Sequence, residues 1–532
     1  MQTMGRKRKW LIGIAVATIL GIAALSVIAF VLARRFEPYM REQAVEYLRS
    51  RFDSDVELAA LHVHLPKTSP LRLLLRKGRG ARARVEGEGI LVRRKGRRDV
   101  PPMFAIKKFR FDVDLGTIFD TPKTVYSVLL EGMEIRIPPQ GERPKLSAGS
   151  SPEASGPLTW VRIKEVTIRD ARLLILPKDR KRIPLEFFIR DLRLKSENAG
   201  AAMRYNAALT NPRPPGAIHA VGSFGPWNAE EPGGTPLSGN YSFENANLDV
   251  FAGIAGILNS TGRFDGNLDS IHAKGQASVP DFRLKMAGNP VSLMTQFEVL
   301  IDGTNGNTIL QPVRAKLGTT EFTTSGVVVK HESDLRRTIS LDVSMPRGEL
   351  RDMLRLAVKG GPFMEGQILL KTKIDIPPLT GKVREKLKLE GRFEVENGKF
   401  LRDTTQDKID NLSRRGQGRP NSNEIDEVVS GMKGTFKLEN ETIRFRSLSF
   451  SVSGAKVALK GTYDLQRDAL DFHGTLKLQA KVSQTMTGWK RWALKPVDPF
   501  FAKEGAGTFL RIEVTGTSKA IRFGRDRGNK GQ

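Results

Sequence analysis

Two histidines are spaced so that they could bind a metal ion together. His62 and His64 are two residues apart in a stretch that alternates like a β-strand, so both side chains are expected on one face. A catalytic zinc ion usually has three protein ligands, and the sequence offers no evident third ligand for this pair. No pair of carboxylates stands out as a general acid and base, and no glycine-rich loop has phosphate-binding spacing. The sequence therefore predicts structural histidines, no enzymatic activity, no metal site and no cofactor.

The composition excludes further kinds of chemistry. The 532 residues include no cysteine, so disulfides, thiol nucleophiles, thiolate zinc sites and iron–sulfur clusters are ruled out. The 86 Lys and Arg residues exceed the 58 Asp and Glu residues, which gives a formal net charge of +28. A charge of this size suggests a polyanionic partner, which could be nucleic acid, an anionic membrane surface or an acidic polymer.

The N-terminus predicts a membrane anchor. Residues 10–33 (WLIGIAVATILGIAALSVIAFVLA) carry no charge and follow a basic tail. At 1.5 Å per residue such a helix is about 36 Å long, enough to cross a hydrocarbon core of ~30 Å. Its length and the following Arg34 and Arg35 favour an uncleaved anchor with the N-terminus in the cytoplasm. A large external region without cysteine favours a bacterial envelope. The predicted location is the bacterial inner membrane, single-pass, with most of the chain in the periplasm.

Beyond residue 55 the chain alternates apolar and polar residues in short runs, which predicts a mainly β fold. Residues 36–52 form a short amphipathic helix before it, and only 248–258, 350–358 and 485–501 also look helical. The clearest alternation is in 434–482, where Asn440-Glu441 marks a turn. This pattern predicts an antiparallel meander with one polar and one apolar face. The apolar face must be covered by another sheet, by its own curling or by lipid.

Breaks in the alternation divide the chain into segments. The predicted segments are 1–9 (cytoplasmic basic tail), 10–33 (transmembrane anchor), 34–137 (juxtamembrane helix and N-terminal β region), 138–157 (flexible linker), 158–402 (central β region), 403–426 (mobile loop) and 427–532 (C-terminal β meander with an aromatic cap).

Several motifs, in this order along the chain, resemble the AsmA family of the AsmA/TamB group of bacterial envelope proteins. They are EYLRSRFDSDVELAALHVHLP, LEGRFEVENGKF, GMKGTFKLENETIRFRSLSFSVSGAKVALKGTYDLQRDALDFHGTLKL and WALKPVDPFFAKEGAGTFLRIEVTGT. The resemblance implies an inner-membrane-anchored, elongated and twisted β-sheet that curls into a hydrophobic groove. It also implies phospholipid transport between the envelope membranes and support of outer-membrane biogenesis, without catalytic residues. The expected partners are phospholipid acyl chains, and the groove candidates are Phe436, Leu438, Phe445, Phe450, Val452, Val457, Leu459, Phe472 and Leu476.

A basic segment, residues 72–98, could contact lipid headgroups. It contains eleven Lys and Arg residues and no aromatic residue for stacking on bases, so no nucleic-acid partner is predicted, and a solvated loop remains the plain alternative. The candidates for binding an anionic membrane surface are Arg93, Arg94, Lys95, Arg97 and Arg98.

An aromatic and basic cluster near the C-terminus could form an end cap of the sheet or contact a membrane interface. Its candidates are Trp489, Trp492, Phe500 and Phe501. Two other functions remain open: an assembly factor that holds other envelope proteins by strand addition at a sheet edge, and a hydrolase in a β-rich fold.

Overall fold

A computed structural model describes most of the chain from residue 54 to residue 526. It leaves out 65, 67–80, 95–100, 118–122, 138–160, 177–184, 197–200, 227–231, 304–305, 331–336, 379–380, 423–427, 486–506 and 519, and before residue 54 it describes only 38, 41–42, 44–46 and 48–49. The predicted tail, the anchor over 10–33 and the linker over 138–157 lie outside the described residues. No helix within the described part is long and apolar enough to cross a membrane.

The prediction of a mainly β fold with few helices is confirmed, because strands make up 69% of the structure. The chain divides into two compact units: unit 1 comprises residues 1–243 and 264–268, and unit 2 comprises 244–263 and 269–532. The predicted central region 158–402 therefore contributes to both units.

Among the described residues of unit 1, eight strands lie wholly within the unit, and they pair in sequence order. They are β1 (Ser54–His64), β2 (Arg82–Arg94), β3 (Phe104–Asp114), β4 (Lys123–Ile137), β5 (Val161–Ile175), β6 (Leu185–Lys195), β7 (Met203–Pro212) and β8 (Pro215–Phe224). The predicted antiparallel pairing is wrong for β4 and β5, which are parallel. A parallel pair needs a long connection between its strands, and residues 138–160 are long enough to supply it.

Three strands follow, of which the first and third belong partly to each unit: β9 (Leu237–Asn247), β10 (Ile254–Ala255) and β11 (Ile257–Asn267). The predicted helix over 248–258 is wrong. Only Leu248–Val250 form a helical turn, and Gly256 then adopts a φ of +131°, which no α-helix contains.

The part of unit 2 that the structure describes has thirteen further strands, and each pairs antiparallel with the next. They are β12 (Ser270–Leu284), β13 (Val291–Ile301), β14 (Thr308–Leu317), β15 (Thr320–Val329), β16 (Thr338–Glu349), β17 (Met364–Ile376), β18 (Lys388–Phe400), β19 (Ser430–Glu439), β20 (Thr442–Val452), β21 (Ala455–Asp464), β22 (Ala469–Leu478), β23 (Thr508–Gly516) and β24 (Ile521–Arg525). This is the predicted meander, extended toward the N-terminus.

Each unit buries an apolar cluster. In unit 1 the cluster includes Val56, Val85 and Phe109 from β1, β2 and β3. The described residues between 38 and 49 are helical, as predicted, and Val45 and Leu48 pack against this cluster. In unit 2, Met345, Leu350, Met364, Ile368 and Val395 form the cluster.

Unit 2 also contains the helices α1 (Leu350–Ala357), α2 (Val383–Lys386) and α3 (Asp403–Gly416). The helix predicted over 350–358 is thus confirmed. The prediction of a loop over 403–426 is wrong for residues 403–416, which form α3. The sequence did not indicate this helix because its buried residues are polar or small, so apolar residues do not recur at helical spacing. The buried residues are Gln406, Asp410, Ser413 and Gly416.

Gln406 connects α3 to two strand ends. Its Oε1 accepts a hydrogen bond from the Phe400 N–H at 3.0 Å, and its Nε2 donates to the Val428 carbonyl at 3.1 Å and to Asp410 at 2.9 Å. Because the side chain is 7% exposed, water cannot easily replace these bonds when it is removed.

Gln406→Ala is expected to destabilise α3 locally by about 1–3 kcal/mol, the usual cost of leaving buried polar groups without partners. Native-state hydrogen exchange measures such local openings, so the protection of the amides of α3 should fall roughly 5- to 150-fold. The control is Lys408→Ala, which removes an exposed side chain of the same helix and should change protection less than about threefold. Equal losses in the two variants would contradict the role given to Gln406.

Candidate functional site

The strand register brings all nine predicted groove residues to one face of β19–β22. Phe436 lies opposite Phe445, and Leu438 lies opposite Ile443. Phe450 and Val457 are opposite each other on β20 and β21, and Val457 in turn lies opposite Leu476. Because opposite residues of antiparallel strands point to the same side, these cross-strand pairs form one continuous apolar face. The co-facial arrangement that the alternation predicted is therefore present.

A β-bulge in β20 keeps this face continuous. Phe445 and Leu448 are three residues apart, which in a regular strand would place them on opposite faces. The register shifts between them, so Arg446 and Ser447 occupy the position of a single residue and both apolar side chains stay on the same side.

The same face extends to strands that the sequence reasoning did not single out. Leu389 pairs with Leu438, Leu370 pairs with Phe393, and Leu510 pairs with Leu476. We call this surface of β16–β23 the apolar face; besides the nine predicted residues it includes Leu341, Leu370, Ile374, Leu389, Phe393, Leu448, Leu510, Ile512 and Val514. The alternation in 388–400 and 508–516 was the signal that could have identified the added residues.

Most side chains of the apolar face remain in partial contact with solvent. Among the nine predicted residues only Leu438 (5% exposed) and Phe472 (6%) are buried, and the other seven are half-buried. An apolar residue in the middle of a sheet becomes buried when a second protein layer packs on it. Among the described residues, α1 covers this face at the end formed by Met345, Ile368 and Val395, whereas the seven half-buried residues of β19–β22 keep partial contact with solvent.

Aromatic rings run across the apolar face from strand to strand. The ring centroids of Phe393 and Phe436 are 6.2 Å apart, those of Phe393 and Phe445 are 6.5 Å apart, and those of Phe445 and Phe472 are 5.7 Å apart. Such distances are typical of stabilising ring contacts. The rings therefore form an aromatic row across the face, from β18 to β22.

At two glycines, the backbone of the neighbouring strand approaches this face closely. A Cβ atom at Gly461 would collide with the carbonyl oxygen of Asp471, and one at Gly474 would collide with that of Ala458. Glycine inside a strand often marks such a close approach of a neighbouring backbone. A residue with a side chain at either position would push β21 and β22 apart.

The opposite face of the same strands is polar and charged. Lys456 lies opposite Lys477, Lys460 lies opposite His473, and all four side chains are exposed. Lys388 Nζ is 2.7 Å from Glu439 Oε1, and this hydrogen bond is the main reason that the pKa of Glu439 is lowered. Part of the large positive charge of the chain thus lies on this solvated face.

His473 lies on the polar face among carboxylates that are distant in sequence. Its Nε2 is 3.1 Å from Asp471 Oδ1, its Nδ1 is 3.3 Å from Asp526 Oδ2, and Glu513 lies opposite it on β23. Partial burial alone lowers the pKa of His473, but hydrogen bonds and charges from Asp526 and Asp471 raise it overall above the ordinary 6.5. The sequence analysis did not single out His473, because its partners Glu513 and Asp526 are distant along the chain.

The His473 contacts are expected to stabilise β24 more at acidic than at alkaline pH. Since the folded-state pKa is raised, their contribution is full below about pH 6.5 and is lost as the pH rises through the folded-state pKa. The side chain is 51% exposed, so screening limits the effect to less than about 1 kcal/mol. An NMR titration of the imidazole should show a lower pKa in Asp526→Asn than in the parent protein. An unchanged midpoint would contradict the assignment.

Of the remaining candidates, the structure describes the side chains of only three. His62 and His64 are exposed on β1, and His64 Nε2 is 3.7 Å from Glu86 Oε2. Arg93 Nε is 3.7 Å from Glu57 Oε1. Arg94 belongs to β2, but its side chain lies outside the described residues, as do Lys95, Arg97 and Arg98 of the headgroup candidates and Trp489, Trp492, Phe500 and Phe501 of the end cap.

The geometry defines an apolar surface without an evident catalytic constellation among the described residues. A continuous, half-exposed apolar face can bind an extended apolar ligand by removing both surfaces from water. Comparison with known proteins finds no matching family model, no matching curated protein and no matching solved structure, so the resemblance to the AsmA family stays a prediction.

Proposed function

We propose that this protein carries phospholipid by holding acyl chains on the apolar face of β16–β23, curled into a groove. The observation that supports this function most is the partial exposure of a continuous apolar face in the middle of the sheet. Each Å² of apolar surface that an acyl chain and the protein remove from water contributes about 25 cal/mol. In this proposal the protein is an inner-membrane-anchored periplasmic member of the AsmA type that supports outer-membrane biogenesis.

The proposed activity requires no bond to be made or broken. The acyl chains contact Phe450, Val457 and Leu476 and their neighbours, while the polar headgroup stays at the solvated rim of the sheet. The residues opposite Leu459 and Phe450 on β20, β21 and β22 are Leu448, Gly474 and Val457, so an acyl chain that moves across this part of the face meets no ionised side chain.

Photocrosslinking from single positions tests this proposal. A benzophenone amino acid at Leu459 of the full-length protein should crosslink to phospholipid in cells, and native mass spectrometry should detect phospholipid bound to the unmodified protein. The matched control is the same probe at Lys460, the next residue along β21, which is exposed on the polar face. No lipid adduct at Leu459, or equal adducts at both positions, would contradict the proposal.

A second candidate function, strand addition, is supported by the end of the meander. β24 pairs with β23, and no other strand pairs with it in the part of the chain that the structure describes. Phe523 on this strand is 75% exposed and Ile521 is 48% exposed. Such an edge can bind an extended segment of another envelope protein. A benzophenone at Phe523 that captures protein rather than lipid would favour this candidate; capture of lipid alone would argue against it.

A further inference from the structure

Three exposed apolar side chains lie at the ends of neighbouring strands in unit 2. Phe363 (44% exposed) directly precedes β17, Leu401 (38%) directly follows β18, and Val429 (55%) directly precedes β19. The Leu401 N–H donates to the Phe363 carbonyl at 3.0 Å. Gln406 bridges Phe400 and Val428, the residues next to Leu401 and Val429. The three side chains therefore belong to one end of the sheet.

Helix α1 extends this surface. Asn289 Nδ2 donates to the carbonyls of Arg355 (3.0 Å) and Val358 (2.7 Å), which ties the turn after β12 to the C-terminal end of α1. The same turn carries Met286, which is 51% exposed. We call Met286, Phe363, Leu401 and Val429 the strand-end patch.

Cations without ion pairs accompany the patch. Helix α1 packs against the buried cluster of unit 2 through Leu350, Met353 and Leu354. The exposed cations on and after α1 and before α3 form no ion pair with any described residue; they are Arg351, Arg355, Lys359 and Arg402. Of the acids nearby, Asp352 is engaged by Thr319 and Thr320 at 2.8 and 2.9 Å and Glu365 is half-buried. The exposed acids are Glu349, Glu396, Asp403 and Asp407.

We propose that the strand-end patch docks on the surface of an anionic lipid bilayer. Large apolar side chains that protrude singly can insert among headgroups, and unpaired Arg and Lys beside them attract anionic lipid. Arg347 and Lys408 are also exposed, so six exposed cations accompany four exposed acids, and this excess favours a negatively charged surface over a neutral apolar partner. This docking surface is separate from the apolar face, and it does not require that acyl chains bind there.

The absence of cysteine in the whole chain makes a site-specific test possible. Single variants Phe363→Cys, Leu401→Cys and Val429→Cys are labelled with an environment-sensitive fluorophore in the full-length protein, which is reconstituted in phosphatidylcholine vesicles. Acceptor vesicles of phosphatidylethanolamine and 30% phosphatidylglycerol carry a quencher lipid, and a parallel sample carries the quencher in the reconstituted bilayer. The control is Met294→Cys on β13, which is 56% exposed but lies outside the patch.

Quenching of all three patch labels, with little at Met294→Cys, is the expected result. Equal quenching at patch and control positions, or none in either arrangement, would overturn the proposal. A patch label that is shielded only when other envelope proteins are added, and never by vesicles, would assign the patch to a protein partner instead. Because these labels report on the patch alone, failure here is distinguishable from failure of lipid crosslinking at Leu459.

A charge-removal experiment gives a second, quantitative readout. Each basic residue near an anionic surface strengthens attraction about fivefold, so Arg351→Ser combined with Arg355→Ser should weaken the binding of the Phe363→Cys protein to anionic vesicles about 25-fold. Lys456→Ser with Lys460→Ser, two exposed lysines on β21, is the control and should weaken it less than about threefold. The same loss in both double variants would show that only net charge matters and would overturn the assigned site.

Discussion

Phospholipid capture is expected to fall roughly tenfold or more when Leu459 is replaced by glutamate. Leu459 is half-buried on the apolar face between Leu448 and Gly474. In the free protein, water can reach a carboxylate at this position, so folding is little affected. An acyl chain would have to strip that water away without offering a hydrogen bond, which costs several kcal/mol.

The measurement is the amount of phospholipid per protein by native mass spectrometry, together with the melting temperature of the full-length protein. Lys460→Glu is the matched control, because it introduces the same charge on the opposite face of β21. Both variants should melt within about 2 °C of the parent protein. Unfolding of Leu459→Glu alone would show that the face is a closed core, and undiminished lipid content would show that acyl chains bind elsewhere.

The largest expected effect on stability comes from Met345→Ala. The Met345 side chain is 1% exposed, lies opposite Leu370 and belongs to the buried cluster of unit 2 on which α1 packs. Truncating a fully buried methionine removes apolar contact and leaves a cavity, which costs about 2–5 kcal/mol. The loss should be local to β16, β17 and α1.

Native-state hydrogen exchange should therefore show roughly 30-fold or greater loss of protection in α1 of the Met345→Ala protein. The matched control is Met294→Ala, which makes the same change at a side chain that is 56% exposed and should alter protection less than about threefold. If α1 keeps its protection in Met345→Ala, the cluster does not hold that helix in place.

The sequence predicts the apolar face well because alternation is a local property. Asn440 and Glu441 were expected to form a turn, and their φ angles of 49° and 58° are those of a tight hairpin. Such a turn sets the register between β19 and β20 and hence which residues face each other. The bulge at Arg446 and Ser447 interrupts the period without changing the face, since both residues occupy one position.

Other features depend on contacts that the local pattern does not contain. Helix α3 docks through Gln406 and Asp410, whose burial rests on hydrogen bonds and not on hydropathy. His473 and Asp526 are 53 residues apart and meet only because β22, β23 and β24 are neighbours. The parallel pairing of β4 and β5 likewise cannot be read from alternation, since both orientations produce it.

The consecutive pairing of β12–β24 means that this part of the chain can change length by whole hairpins. Each strand contacts the previous and the next one along the chain, so duplication or loss of one hairpin leaves the remaining register intact. At about 4.8 Å between strands, one hairpin adds or removes roughly 10 Å of apolar face. Gene duplication within this region would therefore change the width of the β12–β24 sheet in steps of fixed size while keeping every strand's direction.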